Sequence, residues 1–125
     1  MGQKKRILVV DDELSIVKTV SNVLNLEGYE VAVASDGMKA LVAMKANKPD
    51  LLILDLGMPV MSGYDLCQTL ALDDDLKDIP IVILTSHDQD KAIHLGIYMD
   101  VEYLHKSCTP KELVSKVNKI IVCRG

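Results

Sequence analysis

The sequence predicts an α/β fold, a doubly wound five-stranded parallel sheet with helices on both faces. Three observations carry that expectation: short, continuously apolar runs recur along the chain, stretches of helical periodicity alternate with them, and polar residues close each run. Strands apolar on both faces belong to parallel sheets covered on both sides, and right-handed crossovers make the doubly wound arrangement the economical solution.

The elements follow in order. Arg6 to Val10 reads as a buried strand, because Ile7, Leu8, Val9 and Val10 are branched, apolar and cut off by Asp11, Asp12 and Glu13. Ile16, Val20, Val23 and Leu24 then recur at helical spacing up to Gly28, a suitable stop. Val31 to Val33 is a second strand, Asp36 and Gly37 a turn and cap, and Ala40, Leu41 and Met44 one face of a helix ending before Pro49. Leu51 to Leu54 is a third strand closed by Asp55, and Gly63 opens a helix carrying Leu66 and Leu70. Ile79 to Leu84 is a fourth strand closed by Thr85 and Ser86. A weaker helical pattern from His87 to Asp100, resting on Ala92, Ile93 and Ile97, precedes a fifth strand from Val101 to Leu104 and then Lys106. Thr109, Pro110 and Glu112 form a helix start with a capping box, and Leu113, Val117, Ile120 and Ile121 a buried stripe behind it.

Composition bounds the function. At 125 residues and 49% apolar, the chain suits one domain with a single core, residues 1–125, without disulfides or a structural metal. The net charge is −4 and the basic residues are dispersed apart from Lys4, Lys5 and Arg6, so no stripe tracks a phosphate backbone. With no Trp or Phe and only four Tyr, a base-stacking surface has little to work with, and direct nucleic-acid binding is not expected. The apolar runs are too short to cross a bilayer and no signal-peptide core is present, so no membrane contact is expected. Cys67, Cys108 and Cys123 form no CxxC pair, which suits free thiols in a reducing cytoplasm.

In open parallel sheets ligands bind beyond the carboxyl ends of the strands. The residues there are Asp11 and Asp12, Asp55, Thr85 and Lys106. Alone, each has an ordinary explanation: the first two as loop and cap residues, Asp55 as a solvated acid, Thr85 as a strand end, Lys106 as a surface lysine. Together they suit a phosphoryl group. Clustered carboxylates call for a hard cation such as Mg²⁺. An ionised Asp can attack phosphorus, while an ammonium and a hydroxyl stabilise the equatorial oxygens.

Four segments resemble the signatures of response-regulator receiver domains of two-component signalling, the CheY-like family, in order and over essentially the whole chain. They are Val9 to Glu13, Asp55 to Gly63, Ile83 to Ser86, and Tyr103 to Lys106. The resemblance implies a flavodoxin-like strand order 2-1-3-4-5. It implies that Asp55 accepts phosphate from a sensor histidine kinase or phosphotransfer protein. Mg²⁺ would be bound by Asp12 and Asp55 directly, by Asp11 through a water, and by the carbonyl of Gly57. Lys106 would pair with the phosphoryl group, Thr85 would move to hydrogen-bond it, and Tyr103 would follow as the switch aromatic. The output would be a changed surface on the fourth helix, fifth strand and fifth helix, recognised by a downstream protein or by a second copy on phosphorylation. The chain would signal alone by docking, or as part of a longer regulator or hybrid kinase.

The chain departs from the family pattern at Ser107, where proline usually follows the lysine, and at Met99 and Asp100 in place of Gly-Ala. A cis bond without proline costs about 2.5 to 4 kcal/mol, so either a trans bond with a shifted loop or a strained cis one is expected. Gly57 and His87 are the positions near Asp55 that tune water attack in the family. A haloacid-dehalogenase-type phosphatase also uses an Asp nucleophile and Mg²⁺, but it needs a second acid where Gly57 stands, so the chain is not expected to be an enzyme acting on a separate substrate. A degenerate receiver serving as an unphosphorylated docking scaffold is the alternative.

Overall fold

The computed structural model describes residues 4–55, 63–85 and 101–124. Five strands, β1 (Arg6–Val10), β2 (Glu30–Ala34), β3 (Leu51–Asp55), β4 (Ile81–Thr85) and β5 (Val101–His105), form one parallel sheet in the order β2-β1-β3-β4-β5. The described helices are α1 (Leu14–Leu26), α2 (Gly37–Ala46), α3 (Gly63–Ala71) and α4 (Pro110–Arg124). The helix expected over residues 87–100, with Met99 and Asp100 at its end, lies outside the described residues.

Side chains alternate across the strands and sort the core into two layers. Leu8, Val10, Leu52, Leu54, Ile81 and Ile83 face α2 and α3, where they meet Ala40, Met44, Leu66, Cys67 and Leu70. Ile7, Val9, Leu51, Ile53, Val82 and Leu84 face the other way onto Val20 and Leu24 of α1 and Leu113, Val117, Ile120 and Ile121 of α4. The stripe expected on the last helix is therefore the one buried. Tyr29 at the end of α1 donates its hydroxyl to Asn118 Oδ1 of α4, tying the two helices of that layer together.

Local chemistry sets the helix ends. Asp36 Oδ1 accepts the Lys39 amide at 2.8 Å and caps α2. At α4 the box closes in both directions, Thr109 Oγ1 accepting from the Glu112 amide and Glu112 Oε1 from the Thr109 amide, each at 3.1 Å. Gly28 takes φ of 95° just past α1, a left-handed conformation that lets the chain turn into β2. One boundary differs from expectation. β4 begins at Ile81, not Ile79, because the Ile79 amide bonds to the Leu76 carbonyl in a turn and Pro80 has no amide to offer the sheet.

The order of the sheet reverses at β1: α1 carries the chain to β2 on one side, and α2 returns it to β3 on the other. The crevice between the carboxyl ends of β1 and β3 is thus the switch point at which doubly wound sheets bind ligands.

Candidate functional site

Val10 stands opposite Leu54 in the register, so the residues that follow them, Asp11 and Asp55, meet across the mouth of the crevice. Asp11 extends the ladder by one bond, its amide donating to the Ala34 carbonyl at 3.2 Å, and its Oδ1 accepts the Glu13 amide at 3.0 Å. That turn starts α1 and leaves Asp12 on the rim. Asp11 is 2% exposed, while Asp12 is open to solvent. One carboxylate oxygen from each of Asp11, Asp12 and Asp55 lies within 4.8 Å of the others.

Lys106 enters from the turn after β5 with its side chain 11% exposed. Its Nζ lies 3.5 Å from Asp55 Oδ2, 3.4 Å from Asp11 Oδ2 and 3.1 Å from Glu13 Oε1. The Lys106–Ser107 peptide is trans, the first of the two expected alternatives. The loop is held by its own side chains: His105 Nδ1 accepts the Ser107 amide at 3.1 Å and lies 2.7 Å from Ser107 Oγ. The lysine reaches the acids without the proline.

Electrostatics follow from this crowding. Burial pushes the Asp11 carboxyl up, the hydrogen bond from the Glu13 amide opposes it, Asp55 adds to the rise and Lys106 counters it, and the net direction is up. Burial disfavours the Lys106 ammonium, yet the Glu13 hydrogen bond and the charges of Asp11 and Asp55 outweigh it and raise its pKa. Asp11 Oδ2 is buried and accepts no hydrogen bond among the described residues. An oxygen-seeking cation fits such a place: three carboxylates at the strand ends, one with a buried oxygen met only by the Lys106 ammonium at 3.4 Å, are the donor set that magnesium takes.

The structure brings together Asp11, Asp12, Asp55 and Lys106. Thr85 ends β4 one residue past Leu84, the register partner of Asp55, which puts its backbone beside the site; its side chain lies outside the described portion. Gly57 and His87 also lie outside the described residues. Tyr103 sits half-buried in β5, paired with Ile83, and packs on the α2 and α3 layer. Cys67 and Cys108 are free thiols, and burial pushes Cys67 up to about 12, so it is a core residue and not a reactive one. Glu13 is the partner that sequence reasoning left out. It stands in the Asp-Asp-Glu run, but its contact with a lysine 93 residues away has no local signal.

Residues 7–118 match the model of the response regulator receiver domain family. Among curated proteins the chain is 41% identical over 115 residues to the "DNA-binding response regulator MtrA" of Mycolicibacterium paratuberculosis, a match covering 91% of the chain and 50% of that protein. The chain spans about half the length of such curated relatives. Among solved structures, the Vibrio cholerae chemotaxis protein CheY4 superposes with a TM-score of 0.88 at 30% identity, covering 94% of this chain and 99% of that one. A signal receiver domain of a signal transduction histidine kinase from Syntrophus aciditrophicus gives 0.85 at 28% identity, covering 94% and 90%. The parallel sheet, the acidic pocket at its switch point and these matches agree, and the chain belongs to the response regulator receiver domain family, CheY-like receivers of two-component signalling and not conventional enzymes.

Proposed function

We propose that this receiver is a phospho-acceptor switch in a two-component phosphorelay, with Asp55 as the residue that takes the phosphoryl group. The observation that carries the reading is the juxtaposition of a carboxylate at the end of β3 with two further acids and an ion-paired lysine at the switch point of the sheet.

The donor is the phosphohistidine of a sensor kinase or phosphotransfer protein. A carboxylate oxygen of Asp55 attacks phosphorus, the P–N bond breaks, and its electron pair leaves with the imidazole. Asp11, Asp12 and Asp55, with the Gly57 carbonyl, would hold Mg²⁺, which supplies charge neutralisation between the carboxylates and the incoming phosphoryl oxygens. Lys106 donates to one of those oxygens and the Thr85 hydroxyl to another. Movement of Thr85 and inward rotation of Tyr103 then change the surface around β5, where a downstream protein or a second phosphorylated copy docks. The setting is the cytoplasm. Among the described residues no helix is long and apolar enough to cross a membrane. The MtrA relatives are named as DNA-binding, but each is about twice the matched length, and the net charge of −4 here does not suit DNA contact by these residues.

Intact mass after incubation with phosphoramidate or acetyl phosphate tests the reading. A Mg²⁺-dependent gain of one phosphate, absent in Asp55→Asn and released by hydroxylamine as an acyl phosphate is, is the expected result. No gain under any condition would sink it and leave the docking scaffold.

A further inference from the structure

The shortest contact of the Lys106 ammonium is not with the acid that takes the phosphate. Glu13 Oε1 lies at 3.1 Å, against 3.4 Å for Asp11 and 3.5 Å for Asp55. Glu13 occupies the N-cap of α1 with an extended backbone, yet its side chain makes no capping hydrogen bond. Its carboxylate therefore makes no capping bond to its own helix, and it stands outside the group of three acids whose oxygens cluster within 4.8 Å. Its one described side-chain partner is Lys106, and the far side of its carboxylate is in solvent, the side chain being 57% exposed.

We propose that Glu13 is a positioning residue that holds Lys106 on the α1 side of the pocket in the resting chain, and that phosphoryl transfer has to draw the ammonium off it. The inference rests on the phospho-acceptor reading. A phosphoryl group on Asp55 presents several anionic oxygens to the lysine, whereas Glu13 offers one solvated carboxylate, so the phosphoryl group wins the competition once formed. An attraction present in the resting state and weakened in the transition state raises the barrier between them. Glu13 thus slows phosphate uptake.

The test is a double-mutant cycle on the whole chain: wild type, Glu13→Gln, Lys106→Met and the pair, each incubated with phosphoramidate at saturating Mg²⁺ and followed by intact mass. Glu13→Gln is expected to take up phosphate roughly two- to fivefold faster than wild type, the factor an exposed ion pair corresponds to. The gain is expected to vanish in the Lys106→Met background, because Glu13 acts through the lysine. An equal gain in both backgrounds, or no gain, would each overturn the proposal.

Should Lys106→Met take up no phosphate, urea unfolding of the same four proteins reads the Glu13–Lys106 coupling directly, and a coupling of zero overturns the contact on which the proposal stands. Failure of the underlying reading looks different: the wild type itself would gain no mass.

Discussion

Asp11 holds a carboxylate almost out of water, one of its oxygens without a hydrogen bond among the described residues, facing another acid. Its pKa lies above the ordinary 3.8 in the folded chain. The folded state thus keeps the proton longer than the unfolded one, and stability falls as pH rises from about 3.8 through the raised folded value, then stays low. Asp11→Asn removes the charge while keeping the shape. Without Mg²⁺ the variant is expected to be more stable than wild type near neutral pH, and equal to it below the unfolded pKa. Urea unfolding against pH measures this, and a variant less stable at neutral pH would mean that Asp11 is already compensated by Lys106. The acids of this site were legible in the sequence because each closes an apolar strand. Glu13 was not, since only the folded chain brings Lys106 over the start of α1. The trans Lys106–Ser107 bond was likewise left open by residue types alone and settled by the fold.

The strands and helices were readable because their patterns are unmixed: four-residue apolar runs for strands, and a stripe such as Leu113, Val117, Ile120 and Ile121 for a helix. Where pattern misled, at Ile79, a buried turn residue extended an apolar run that contains no strand there; burial and strand are the same signal in sequence. The strand order was legible only through the family resemblance, since apolar runs do not say which neighbours which. Helix ends make a sharper test of element-level argument. Thr109→Ala removes one half of the capping box of α4 and is expected to cost about 1 kcal/mol. Gly28→Ala meets no atom within 4 Å of the new Cβ, so its whole cost is the left-handed backbone at φ 95°, about 1 kcal/mol. Thermal unfolding of both variants checks the pair. A neutral Gly28→Ala would show that the turn between α1 and β2 relaxes its conformation freely.

At the scale of the whole molecule, the sheet gathers like charges at one end that folding must hold together. Asp11, Asp12 and Asp55 converge because β1 and β3 are neighbours, and the interior layers on either side, from Leu24 to Ile121 and from Met44 to Leu70, leave the strands no freedom to part them. The fold therefore stores unfavourable electrostatics among these acids, and a cation that binds only the folded chain stabilises all of it together. Linkage sets the size: a ligand at 100 times its Kd adds about 2.7 kcal/mol. Wild type is accordingly expected to gain several degrees in Tm on addition of Mg²⁺. Asp11→Asn, already relieved of repulsion, starts higher and gains less, and Asp55→Asn behaves the same way, so the curves of wild type and variants converge as Mg²⁺ rises. An equal gain in all three proteins would place the cation elsewhere on the acidic surface. No gain in wild type would mean that Lys106 alone balances the pocket, and the Mg²⁺ dependence expected of phosphate uptake would lose its basis in these three carboxylates.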